Sequence, residues 1–137
     1  MRVNIRTCYA IHIIIELAKN RKMSSKNIAE RLDVREHYLA RIITKLCKAN
    51  IIHAIQGANG GFVLHADVEK LTLLDILNVM ETTVKINRCL EDDCFCFRNT
   101  ITECEIRKKY IQAQEMLEEK LSRETFQKYL DYEERGK

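Results

Sequence analysis

The chain contains no proline, no tryptophan and only four glycines in 137 residues. Without proline, helices are left to end at side-chain caps and the rare glycines. Three of those glycines gather at Gly57, Gly60 and Gly61, so helix should dominate, with one sharp turn. Nothing approaches the roughly 20 apolar residues of a membrane helix. The most apolar stretch, residues 3–18, is interrupted by His12 and Glu16 and is followed by no small-residue cleavage site of the signal-peptide kind. The expectation is a cytoplasmic protein with no membrane partner. Signs of catalysis are also missing: there is no Cys-x-x-Cys pair, no nucleophile with a placed base and no phosphate-cradling loop. The Gly57 to Gly61 stretch is short and precedes a strand-like run, not a helix. No enzyme is expected.

What is present is unevenly distributed. The net charge is +3, yet residues 1–66 carry 11 Lys/Arg against 4 Asp/Glu, and residues 67–137 carry 12 against 16. A basic half attracts a polyanion while an acidic half stays off it. Four of the six cysteines, Cys89, Cys94, Cys96 and Cys104, crowd into one short segment between those halves.

In chain order, Ile5, Cys8, Tyr9, Ile13 and Leu17, with Ile11, Ile14 and Ile15, leave only a narrow polar strip on a helix from Val3 to Asn20, which should be well buried. Ser24 or Ser25 can cap a short helix through Leu32, Asp33-Val34 interrupts, and a third helix runs from about Arg35 to Ala49 with Leu39, Ile42, Ile43 and Leu46 inward. That pair is a helix-turn-helix. Ile51–Ile55 and Phe62–His65 are strand-like, and Asn59-Gly60-Gly61 between them should supply the positive φ angles of a hairpin turn. A hairpin directly after a recognition helix is a wing. Thr72 and Asp75 form a capping box for a helix through Glu81. Beyond the cysteines, Ile106, Tyr110, Ala113, Leu117 and Leu121 recur at helical spacing over about 18 residues. Ser122 should punctuate before a final helix at Phe126, Tyr129 and Leu130. The fold class is therefore mainly α with a small β-hairpin wing: a winged helix-turn-helix DNA-binding domain over residues 1–82, a cysteine-rich sensor loop over 83–105, and a long helix with a C-terminal helix over 106–137.

Double-stranded DNA is the expected partner, with the third helix in the major groove. Arg41 can pair bidentately with guanine, and His37 and Tyr38 would meet bases or backbone. Arg35 and Lys45 would hold phosphates, and Gln56 and Asn59 of the wing complete the set. The bland alternative is a solvated cationic helix, or a winged-helix protein-interaction module that touches no DNA. Thiolates are the soft ligands that iron–sulfur clusters require. From spacing alone, Cys89, Cys94, Cys96 and Cys104 suit zinc as well as a cluster, and a redox-sensing disulfide also remains open. The acidic residues Glu91, Asp92 and Asp93 should do no more than keep a flexible loop solvated. Cys8 and Cys47 lie on helices among apolar neighbours, where a cysteine acts as a small hydrophobe.

The succession of helix, helix-turn-helix, Gly57-Ala58-Asn59-Gly60-Gly61-Phe62-Val63-Leu64 wing, capped helix, cysteine segment and long helix resembles the IscR/NsrR family of bacterial winged-helix regulators over nearly the whole chain. The resemblance implies a homodimer packed through the long dimerisation helix, with an iron–sulfur cluster in the cysteine loop that senses cluster supply, nitric oxide or redox state. It places the ligands at Cys89, Cys94 and Cys104, with Cys96 an extra candidate in the nine-residue gap before Cys104. It further implies a ligand lent by the partner's first helix, for which Cys8 and His12 are the candidates. The family often has arginine where this wing has Gln56.

Overall fold

The computed structural model describes residues 1–93, 95–96 and 103–136. Among these residues, six helices and one hairpin follow in the order α1 (Ile5–Lys19), α2 (Ser25–Leu32), α3 (Glu36–Lys48), β1 (Ile52–Ile55), β2 (Gly61–Leu64), α4 (Leu73–Met80), α5 (Glu105–Arg123) and α6 (Phe126–Arg135), with a 3-10 turn at Arg88–Leu90 before α5.

The ends of these helices are written in short polar side chains. Asn4 accepts from the Arg6 N–H to cap α1, Ser24 accepts from Asn27 to cap α2, and Thr125 accepts from Lys128 to cap α6. Thr72 and Asp75 close the expected capping box at α4. Between α2 and α3 the chain turns through Asp33 in the left-handed region, φ 53°, a conformation that Asp adopts more readily than most residues. Ile13, Ile14, Ile28, Leu39, Ile42, Leu46, Ile52 and Ile76 are fully buried, so α1, α2, α3, α4 and the first strand share one apolar core. Phe126 at the start of α6 joins that core, held by hydrogen bonds from its own N–H to the Leu71 carbonyl and from the Leu73 N–H to the Glu124 carbonyl, both 3.0 Å.

The wing pairs Ile52 with Leu64, His53 with Val63, Ala54 with Phe62 and Ile55 with Gly61. Its seat is a third strand position just before α2. Phe62 N–H donates to the Met23 carbonyl at 2.8 Å, and Met23 N–H donates to the Phe62 carbonyl at 3.1 Å.

Several expectations change. Within the wing the positive φ belongs to Gly57, at 107°, and not to Asn59-Gly60-Gly61. Gly60 and Gly61 are needed for space instead. A Cβ at Gly60 would lie 2.4 Å from the Ile55 carbonyl oxygen, and one at Gly61 would lie 2.7 Å from that of Met23. Ser122 does not interrupt α5, because its hydroxyl donates to the Glu119 carbonyl within the helix at 2.8 Å; the break falls at Glu124. The first helix begins at Ile5, not Val3, and is less enclosed than its composition suggests. Ile5 is 58% exposed, and the buried face is carried by Thr7, Ala10, Ile13, Ile14, Ile15 and Leu17.

Candidate nucleic-acid interface and cysteine site

On α3, burial of Leu39, Ile42, Ile43 and Leu46 rotates Arg41 and Lys45 into solvent. His37 is exposed on the first turn, and Arg35 is exposed at the N-cap position. Tyr38 is half-buried, its ring meeting Tyr9 edge-on at 5.6 Å. Gln56 and Asn59 are exposed on the wing. The relation of helix to wing is fixed from below. The Lys22 ammonium donates to the Asn59 carbonyl, and Ser25 Oγ donates to Glu36 Oε1 at 2.7 Å, tying the start of α2 to the first turn of α3. A shallow groove between α3 and the wing is lined by Glu36, His37, Ala40, Thr44, Cys47 and Phe62. Cys47 is half-buried there, and burial raises its thiol above the ordinary value, the behaviour of a packing residue, not of a nucleophile. At the base of the wing His53 and His65 stack, with centroids 3.9 Å apart and planes 14° from parallel.

Exposed cations on the helix and hydrogen-bonding groups on the hairpin turn are thus carried by elements tied to one core. Such a surface can hold phosphates along the helix and present Arg41 to base edges.

The described residues before and within the cysteine segment carry specific side-chain partners. Asn87 Oδ1 accepts from the Cys89 N–H at 3.1 Å to start the 3-10 turn. Arg88 pairs bidentately with Asp93 and lies 5.2 Å from the Phe95 ring centroid. Hydrogen bonding between these partners raises Arg88 and lowers Asp93 from their ordinary values. Glu91 accepts from Thr83 Oγ1 at 2.7 Å. Two of the three acidic residues therefore have structural partners, which corrects their reading as mere solubilisers.

Cys89, Cys96 and Cys104 are half-buried; Cys94 lies outside the described residues. Arg107 joins two of them: its Nε donates to the Cys89 carbonyl at 3.3 Å, and its backbone N–H donates to Cys104 Sγ at 3.5 Å, with Cys104 as the N-cap of α5. Among the described residues no three Cys, His, Asp or Glu side chains converge as a metal site. The donors do suit a soft metal or cluster, since the thiols are partly shielded and one already accepts an N–H bond. Cys8 is half-buried beside Val3, Ile5 and Glu81, and His12 is exposed one turn on. Glu81 is occupied at that end of α1, accepting from the Asn4 N–H at 2.6 Å and from Thr7 Oγ1 at 2.7 Å.

Three contributors carried no recognisable sequence signal of their own. Lys22 lay in a basic pair ahead of the α2 cap, Arg107 one turn after Cys104, and Gln114, whose side-chain amide bonds the Val84 and Ile86 backbone, inside an apolar stripe. Only the Arg107 spacing, three residues into a helix that Cys104 opens, offered a clue.

A helix-turn-helix, a wing seated on its core and a cysteine segment at the head of a long helix define a winged-helix DNA-binding regulator. Residues 3–132 match the model of the Rrf2 family, described as iron-dependent transcriptional regulators, and the chain belongs to that family. It is similar to the transcriptional regulator CymR of Bacillus subtilis, 34% identical over 96 residues that span 68% of this chain and 70% of CymR. The solved structure of CymR, described as the global cysteine regulator of B. subtilis, superposes with a TM-score of 0.78 at 29% identity, covering 96% of this chain and 98% of that one. IscR of T. potens superposes with a TM-score of 0.77 at 25% identity, covering 100% and 91%.

Proposed function

We propose that the protein acts as a homodimeric transcriptional regulator whose affinity for DNA is set by an iron–sulfur cluster on the cysteine segment. The observation that carries this reading is the placing of Cys89 and Cys104 around Arg107 at the head of α5, the helix that would join two protomers. Cys89, Cys104 and one or both of Cys94 and Cys96 would hold the cluster, with Cys8 or His12 of the partner subunit as a further donor. A bound cluster would supply redox and nitric-oxide chemistry. Family membership among iron-dependent regulators supports the choice of iron.

The dimer reading rests on α5. Gln114 is its one buried residue, while Ile106 is 63% exposed, Met116 is 71% exposed, and Tyr110 and Ala113 also face solvent. Residues at this spacing form one continuous apolar seam, and a matching seam on a second copy would bury it. Two-fold symmetry then predicts paired half-sites about one helical turn of DNA, or a multiple, apart.

A ligand can shift DNA binding only by its differential affinity for two dimer arrangements. Loss of the cluster would have to alter how the cysteine segment sits on α5. Electrophoretic mobility with DNA from upstream of the protein's own reading frame, before and after cluster removal, tests this; equal affinity in both states would refute it. The likeness to CymR, a cysteine regulator, supports a second reading, in which the same thiols respond directly to redox state or cysteine supply without iron. Zinc, the third possibility, would give a colourless protein with stoichiometric metal.

A further inference from the structure

We infer that Gln114 is the positioning residue that fastens the segment leading into Cys89 onto the dimer helix, so that the two move as one body. Gln114 is 4% exposed in the middle of a helix whose other described residues are half-buried or open. Its Oε1 accepts from the Ile86 N–H at 2.8 Å, and its Nε2 donates to the Val84 carbonyl at 3.0 Å and to Glu118 Oε1 at 3.2 Å. A carboxamide carries the donor and the acceptor of a peptide group. Gln114 therefore gives residues 84 and 86 what a neighbouring β-strand would give them, where among the described residues no strand is paired.

Two further rungs extend the attachment in register. Arg107 Nε donates to the Cys89 carbonyl, and Lys85 pairs with Glu118 at 3.5 Å. Residues 107, 114 and 118 are spaced by seven and four, which sets them on one helix face. The exposed seam of Ile106, Tyr110, Ala113 and Met116 begins one residue away, about 100° around the helix. One face of α5 thus grips the backbone that carries Cys89, while the adjacent face is the one offered to a second copy. For Cys89 to shift along α5, both backbone bonds of an amide only 4% exposed must break together, which favours discrete positions over drift.

The regulatory consequence rests on the functional reading above; the fastening itself does not. The test replaces Gln114 by Met, which keeps the volume and removes the hydrogen bonds, and by Asn, which keeps the donor and the acceptor but withdraws both by one methylene. The full chain is used, metal-free and after anaerobic reconstitution with ferrous iron and sulfide. Two readouts are taken: hydrogen exchange at the Ile86 amide relative to Leu77 in α4, and the ratio of DNA affinities between the two states. Gln114→Met should speed exchange at Ile86 about tenfold, as loss of two net hydrogen bonds implies, with Gln114→Asn in between. The affinity ratio should collapse to within about twofold of unity, with the protein still dimeric. Unchanged exchange at Ile86 overturns the fastening. Faster exchange with an intact affinity ratio overturns the coupling. If the wild-type ratio is itself unity, the functional reading fails and Ile86 exchange alone judges Gln114. Should Gln114→Met not fold, Gln114→Asn carries the same two readouts.

Discussion

Substitution of Gly61 by alanine isolates what seats the wing. The added Cβ would lie 2.7 Å from the Met23 carbonyl oxygen and 3.2 Å from the Ser24 nitrogen, both backbone atoms, with no flexible side chain to give way. Ordinary contact begins near 3.4 Å, so β2 must retreat by about 0.7 Å. The two bonds between Met23 and Phe62, now 2.8 and 3.1 Å, would then pass beyond useful length. At about 0.5 to 1.5 kcal/mol net for each bond, the loss is about 1 to 3 kcal/mol. A urea titration should show a lower midpoint with an unchanged slope, and the Phe62 amide should lose its protection from exchange. Gly57→Ala is the control. It meets no atom within 4 Å but must hold φ at 107°, a local strain of about 1 to 3 kcal/mol that leaves the Phe62 amide protected. If Gly61→Ala keeps Phe62 protected, and its stability within a few tenths of a kcal/mol, then the wing is not seated through Met23.

Four other outcomes follow from the same geometry. Arg41→Ala should weaken DNA binding by about 1 to 3 kcal/mol and relax preference at one base pair, whereas Lys45→Ala should weaken all sequences alike and flatten the salt dependence; fluorescence anisotropy across salt concentrations separates them. Ile13→Ala, at a site with no exposure, should cost about 2 to 5 kcal/mol in denaturant unfolding. Ile106→Glu with Met116→Glu should yield monomers in analytical ultracentrifugation and lose paired half-site binding. Arg88 holds the Asp93 carboxyl below its ordinary 3.8. The contribution of this pair is therefore complete above that pH and disappears as pH falls through the lower folded value; carboxyl titration by NMR should show the depressed midpoint, and Arg88→Met should restore it.

Much of the fold could be read from local chemistry. Ser24, Thr72 with Asp75, and the inward rows on α3 and α4 act within one turn of their own helix, so neighbouring residues reveal them. Gly60 and Gly61 were visible as a turn, but their reason was not, because the crowding comes from Ile55 and from Met23, an element nearly forty residues earlier. Ile5 looked like core by periodicity, yet nothing among the described residues covers it, and its burial would depend on a second copy. On the site, the cysteines and the basic face of α3 announced themselves by residue type. Arg107 and Gln114 did not, since each acts on the backbone of residues 18 to 30 positions away, and backbone groups leave no mark in a sequence. The acidic residues near Cys94 looked like solvated charge because their partners, Arg88 and Thr83, become neighbours only after the chain turns at Arg88–Leu90.

The central claim is most directly tested by purifying the protein without oxygen, measuring its iron, sulfide and zinc with its visible spectrum, and comparing its DNA affinity before and after the metal is removed. The account predicts broad visible absorbance, iron and sulfide in equal amounts, and an affinity change of at least about tenfold on removal, worth about 1.4 kcal/mol of coupling, with Cys89→Ser and Cys104→Ser each abolishing both the colour and the change. A colourless protein without iron or sulfide, binding DNA with one affinity in every thiol state, would contradict it.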